Sequence, residues 1–166
     1  MKPVTSARIA VSIVFLVHGL ASGTWVSRIP AIQEDLHLGV GTLGVALLGG
    51  GFGSLLTLLP SGAVIGALGS RRVTLWTGLA ACAALAVLAL PINAPTLFGA
   101  LMLWGSSAGS FDVAMNAQGS TIEQRRAMPI MSSLHGLWSV GSMTGAATAD
   151  APTDLPTDLS TRKAAG

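Results

Sequence analysis

The sequence has little charge, and it lacks the motifs that mark enzymes. Of its 166 residues, 10% are charged and 51% are apolar, whereas a soluble domain carries about a quarter charged residues. This deficit indicates a membrane protein. The single cysteine, Cys82, can form no internal disulfide, so cysteine usage does not identify a redox compartment. No CxxC, HExxH, GxSxG or phosphate-loop pattern occurs, and we therefore expect no enzyme activity, cofactor or metal.

Positive charge is distributed in small groups along the chain. The pI of about 9.3 would also suit a nucleic-acid-binding protein. The nine Lys and Arg residues are, however, split into small clusters between apolar runs, where basic residues set membrane topology. We therefore expect a lipid bilayer as the partner, and no nucleic acid.

Five apolar segments approach the roughly 20 residues that a bilayer requires. They cover about residues 9–27, 41–68, 73–92, 97–120 and 130–149. The first continues through Val26, which favours a membrane helix over a cleaved signal peptide. Residues 150–166 are polar and without helical periodicity, which predicts a disordered tail after a bundle in residues 1–149.

The basic residues also predict an orientation. One side of the membrane would carry Lys2, Arg8, Arg71, Arg72, Arg125 and Arg126, and the other side Arg28. Cytoplasmic loops are enriched in Lys and Arg. The N-terminus is therefore predicted to be cytoplasmic.

Asp112 lies within the fourth apolar segment, about 5 Å from its midpoint at 1.5 Å per residue. An ionised carboxylate at that depth costs on the order of 3 kcal/mol or more, and such residues usually face a cavity or a partner. Gly105, Gly109 and Asn116 fall on the same helical face. This small, polar stripe favours a functional carboxylate, with a hydrogen-bonded packing role as the alternative.

Two further stripes place polar groups on single helical faces. His18, Ser22 and Trp25 share a face of the first segment. For His18, the sequence is equally consistent with lining a solute path and with a hydrogen bond within the bundle. The fifth segment carries a longer polar stripe, which comprises Ser132, His135, Ser139 and Ser142. This face must avoid lipid, because its polar groups would lose their hydrogen-bond partners there. Cavity lining is favoured over interhelical hydrogen bonding as its role.

The second segment is rich in glycine. Gly49 with Gly53, and Gly62 with Gly66, have the small-xxx-small spacing that allows close helix packing in membranes. Packing is the favoured role for these glycines over contact with a substrate.

The stretch "GAVIGALGSRRV" resembles the loop signature of the major facilitator superfamily, roughly G-x-L-x-D-R-x-G-R-R. Gly62, Gly69 and Arg71 match it, with Arg72 adjacent, while Gly66 stands at the acidic position. The resemblance implies a fold of twelve spans in two halves, with substrate held between them. This all-α chain would supply about five helices of the N-terminal half and lack the sixth helix and the second half.

Three other stretches resemble bacterial fucose-permease-like and sugar-transporter-like members: "WVSRIPAIQEDLHL", "DVAMNAQG" and "MSSLHGLWSVG". In fucose permeases, an acidic residue four positions before an Asn is implicated in proton coupling, and Asp112 and Asn116 match that pair. The family's acidic residue in the first span corresponds here to Gly23.

The resemblance implies a proton-coupled transporter of a sugar-like or other small polar solute in the bacterial inner membrane. Asp112 would be its proton-coupling residue. The candidate solute-binding or cavity-lining residues are Asn116, His18, Ser22, Trp25, His135 and Ser139. The alternatives are a proton-driven exporter of drugs or metabolites, and a non-transporting, truncated membrane fragment. The missing C-terminal half or other membrane helices would be protein partners.

Overall fold

The chain forms a bundle of α-helices. The computed structural model describes residues 2–149, with side chains from Thr5 onward, and the predicted tail, residues 150–166, lies outside the described residues. The helices are α1 (Lys2–Ser27), α2 (Ile29–Asp35), α3 (Val40–Leu68), α4 (Ser70–Val87), α5 (Ala94–Arg126) and α6 (Met131–Ala149). Residues 2–149 contain no β-strand, which confirms the all-α prediction.

Local sequence signals set several helix ends. At the start of α5, Asn93 and Thr96 form a reciprocal capping box, each side chain accepting a bond from the other's backbone N–H. Gly69 alone separates α3 from α4, with a φ of +82° that a residue without Cβ adopts at no steric cost. The end of α4 at Val87 precedes the predicted boundary at residue 92, because Pro91 disfavours helical backbone before it.

A short helix, α2, lies in the connection after the first predicted span, where the sequence analysis placed none. Pro30 occupies its first turn, where the missing N–H of proline removes no helical hydrogen bond. The helix ends in a turn in which His37 adopts a φ of +50° and donates its backbone N–H to the carbonyl of Glu34. This connection is therefore ordered rather than an open loop.

Glycine brings α1 and α6 into direct backbone contact. An added Cβ would overlap the backbone of the other helix at Gly19, Gly23, Gly141 and Gly145. The Thr24 hydroxyl also donates to the carbonyl of Gly145 at 3.3 Å. The two helices thus pack as a close pair with small residues on both sides.

A second close pair joins α3 to α5. Gly49 and Gly53 of α3 lie against the α5 backbone, and Gly105 of α5 lies against the α3 backbone. The Ser54 hydroxyl donates to the carbonyl of Gly105 at 3.0 Å. The packing prediction for Gly49 and Gly53 is therefore confirmed, whereas Gly62 and Gly66 have no neighbour within 4 Å of an added Cβ in the described chain.

Two apolar clusters connect the helix pairs. One joins α1, α3 and α5 with the turn after α4, and its buried members are Trp25, Leu43, Ala46, Leu88, Leu97, Ala100 and Leu101. The other joins α1, α5 and α6 through Val11, Phe15, Met115, Ile122, Ile130 and Leu134. Along α1 and α5, His18 and Asp112 lie between these two clusters.

The outer surface of the bundle is apolar. Leu59 of α3 is 89% exposed and Met143 of α6 is 74% exposed, and large apolar side chains face outward on every long helix. Soluble monomers rarely expose contiguous apolar patches larger than a few hundred Å². Such a surface suits burial in lipid or against further helices.

Two helical stretches are long and apolar enough to cross a membrane. They are Thr5–Asp35, which runs through α1 and α2, and Val40–Leu68, which is α3, and a minority of the most apolar part of each is buried. The prediction of about five spans is thus supported for two segments by length and composition. In α5, Asp112, Asn116 and Gln118 lower the apolar character of the helix.

Candidate functional site

The central feature of the candidate site is the approach of Asp112 on α5 to His18 on α1. His18 Nδ1 lies 4.0 Å from Asp112 Oδ1, and the two side chains are 10% and 51% exposed. This distance allows charge attraction but is too long for a hydrogen bond. The structure thus joins a buried imidazole to a half-exposed carboxylate from different helices.

The surroundings of His18 are apolar. The edge of Phe111 meets its ring at a centroid distance of 5.1 Å, nearly perpendicular. His18 Nδ1 is buried and has no hydrogen-bond partner. A buried polar atom without a partner costs free energy, and the carboxylate of Asp112, at 4.0 Å, is too far from Nδ1 to provide a hydrogen bond.

Asn116 lies one helical turn beyond Asp112, and its side-chain amide donates to the Asp112 backbone carbonyl at 2.9 Å. Among the described residues, no hydrogen bond joins this amide to the Asp112 carboxylate. Gly105 and Gly109 of the same predicted stripe pack against α3, at Gly50 and Ser54. The stripe is divided: its glycines serve helix packing, while Asp112 and Asn116 remain partly exposed.

The other predicted site residues lie apart from this pair. Trp25 is buried against Trp104, with ring centroids 5.7 Å apart, and Ser22 is partly exposed. On α6, His135 and Ser139 are exposed, and the Ser139 hydroxyl donates to the carbonyl of His135 at 3.1 Å. The His135 ring meets Phe15 edge-on at 5.4 Å, one turn of α1 before His18.

The loop-signature residues lie at the α3–α4 turn and on the adjoining helices. Gly69 supplies the turn, and Arg71 and Arg72 are exposed in the first turn of α4. Gly62 lies within α3, with open space beside it. The turn is thus followed at once by two exposed arginines on α4.

Two clefts open beside α1. A cleft of about 670 Å³ between α1, α4 and α5 is lined by mainly apolar side chains, with His18, Arg71 and Gln118 among its polar members. A second, of about 540 Å³, lies where α1, α2 and the end of α4 meet, and Trp25, Arg28 and Asp35 help to line it. His18 and Trp25 therefore line different clefts.

Gly23, the position that corresponds to the acidic residue of the first span in fucose permeases, has no room for a side chain. A Cβ there would overlap the backbone carbonyl of Ser142 on α6. The close packing of α1 and α6 thus excludes a carboxylate at this position.

Glu123 is a polar residue with a defined role that the sequence analysis did not single out. Its Oε2 accepts hydrogen bonds from the backbone N–H groups of Ile130 and Met131, at 2.7 and 2.9 Å, at the start of α6. These two bonds hold the pKa of Glu123 below its ordinary value. A carboxylate placed before an apolar helix start was the available signal, but a spacing of seven residues is longer than any local capping motif.

No group of three or more His, Cys, Asp or Glu side chains suited to a metal ion occurs among the described residues. His18, Asp112 and Asn116 contribute an imidazole, a carboxylate and an amide, which can donate or accept hydrogen bonds.

Three curated proteins are similar to this chain. An uncharacterised transporter of Sinorhizobium fredii is 39% identical over 133 residues, which is 80% of this chain and 35% of that protein. An uncharacterised MFS-type transporter of Yersinia pestis is 33% identical over 146 residues, 88% of this chain and 38% of the relative. Membrane protein MosC of Rhizobium meliloti is 32% identical over 136 residues, 82% of this chain and 33% of MosC.

The chain spans about a third of the length of each of these relatives. No protein-family model matches the chain, and no solved structure matches it. The similarity thus relates most of this chain to a part of longer proteins, two of which are named transporters and one a membrane protein.

Proposed function

We propose that this chain forms part of a proton-coupled transporter, of the length of its relatives, that moves a sugar-like or other small polar solute across the bacterial inner membrane. The observation that carries the proposal is the half-exposed carboxylate of Asp112, within a long helix of a bundle with an apolar surface. The names of the homologous transporters support the same class of function.

Charge is costly to place in the middle of a membrane span. An ionised carboxylate in the middle of a span is expensive, whereas its protonated form is much cheaper to place there. Asp112 is half-exposed, so water can deliver and remove its proton. In the proposed cycle, Asp112 takes a proton from the outer side and releases it inward as access to the site alternates between the two sides of the membrane.

The solute would contact polar groups on the partly open faces of the bundle. Asn116 and Ser22 are partly exposed, and His135 and Ser139 are exposed. Hydroxyl, amide and imidazole groups bond the hydroxyls of a small polar solute without adding a fixed charge. His18 and Trp25, which are buried, would support the walls of the site.

The test is proton-dependent transport by a full-length relative that carries a carboxylate at the position of Asp112. We expect Asp112→Asn to abolish uphill accumulation of solute in energised membrane vesicles while downhill exchange continues, because the amide cannot carry the proton. The control is the position of Glu34, an exposed carboxylate on α2, where Glu→Gln leaves accumulation intact.

Normal uphill accumulation by the Asp112→Asn variant would contradict the proposed coupling. Inverted vesicles distinguish uptake from proton-driven export, because the two directions give opposite responses to an imposed pH gradient.

A further inference from the structure

The unpartnered Nδ1 of His18 extends the candidate site to a second helix. The His18 side chain is nine-tenths buried, and Asp112 Oδ1 lies 4.0 Å from its Nδ1. We propose that His18 and Asp112 together form the proton-binding unit, which holds one proton between imidazole and carboxylate. The inference rests on the proposed role of Asp112 as the proton site, and it makes His18 a proton partner rather than a solute ligand.

Charge balance favours the form with one proton. With no added proton, the pair consists of a neutral imidazole and a carboxylate, and carries one negative charge. One proton gives either an imidazolium–carboxylate pair or a neutral imidazole beside a carboxylic acid, and both are neutral overall. A second proton leaves one positive charge, and net charge of either sign is costly within a bilayer.

The surroundings of the ring make Asp112 its specific partner. Arg71 and Cys82 of α4 line the same cleft as His18, and His135 of α6 contacts Phe15 one turn away. Within the described part of the chain, Asp112 is the one charged group at ion-pair distance from the imidazole. The exposed part of the carboxylate exchanges the proton with water, and the imidazole ring holds the proton within the bundle.

The tautomer of His18 follows from the same geometry. A proton on Nδ1 points toward an acceptor, Asp112 Oδ1, whereas a bare Nδ1 meets no donor. When the ring takes up the coupling proton it becomes an imidazolium, and its contact with the Asp112 carboxylate, between α1 and α5, becomes charge-assisted. Release of the proton returns the contact to its neutral form.

The test is a pH titration of the 166-residue chain with isotope-labelled histidine in lipid nanodiscs, followed by NMR. His37 and His135 serve as internal references for folding. We expect the midpoint of the His18 transition to move by about one pH unit or more in Asp112→Asn, the range for a charge at this distance. The references should not move, and Asp35→Asn, the matched control, should leave His18 unchanged.

A His18 midpoint that stays in place in a folded Asp112→Asn variant overturns the pairing. If that variant misfolds, the reciprocal variant His18→Gln is used instead. The pairing then requires that the midpoint of the Asp112 transition, followed by NMR of its labelled carboxyl carbon, differs between wild type and His18→Gln. This result can be separated from that of the transport test. If Asp112→Asn uncouples transport but leaves the His18 midpoint unchanged, only the His18–Asp112 pair is rejected. If Asp112→Asn shifts the His18 midpoint but uphill accumulation remains normal, the proposed function is rejected.

Discussion

Glu123 stabilises the start of α6 from the far end of α5. Its carboxylate accepts both backbone N–H groups that open the helix, and negative charge at a helix N-terminus is favourable. We expect Glu123→Ala to lower the melting temperature at neutral pH, because two donors lose their acceptor. Circular dichroism in detergent micelles measures the change, with the exposed Glu34→Ala in α2 as the control.

The same contact predicts a pH dependence. The pKa of Glu123 is lowered in the folded protein, so its stabilisation is complete above the unfolded-state pKa and is lost as pH falls through the folded-state pKa. The difference in melting temperature between wild type and Glu123→Ala should therefore vanish in acid. A difference that persists below both pKa values would show that the carboxylate charge is not its cause.

The sequence indicated some features of the site and could not indicate others. Asp112 stands out because a carboxylate is unusual in an apolar run, and its spacing to Asn116 follows from helical periodicity. The approach of His18 to Asp112 depends on how α1 and α5 pack, across 94 residues of sequence. No local pattern encodes that distance.

Close packing of α1 on α6 should make substitution at Gly23 destabilising. In Gly23→Ala the added methyl group overlaps the Ser142 carbonyl, so the helices must separate, at a cost of about 1–3 kcal/mol. The control, Gly136→Ala in α6, adds a methyl group in open space, and a helical Gly→Ala change there stabilises by roughly 0.5–1 kcal/mol. Denaturant unfolding in mixed micelles should show that the two variants change the free energy of unfolding in opposite directions. Equal changes would contradict the close packing at Gly23.

At the scale of the helices, the sequence predicted which segments are helical better than it predicted which helices pack against each other. Long apolar runs bounded by proline, glycine or arginine predicted five long helices, and residues 2–149 contain five. The spacing of Gly49 and Gly53 indicated a packing face but not which helix covers it. Gly62 and Gly66 have the same spacing without such a contact, so spacing alone does not identify an interface.

For the molecule as a whole, the basic residues predict a cytoplasmic N-terminus, and single cysteines can test this. In a Cys82→Ser background, Glu34→Cys lies in the α1–α3 connection and Gln124→Cys near the end of α5, both at exposed positions. We expect a membrane-impermeant maleimide to label Glu34→Cys in spheroplasts and Gln124→Cys only after lysis. The reverse labelling pattern would show that the topology is opposite to the predicted one.

The α3–α4 turn limits where foreign sequence can enter this protein. One residue, Gly69, separates two long helices there, so an inserted epitope or fused domain would have to unwind one of them. Residues 88–93 lie between α4 and α5 outside both helices, and lengthening such a connection costs little loop-closure entropy. Antibody tags, fluorophores and fiducial domains for imaging therefore belong at the α4–α5 connection.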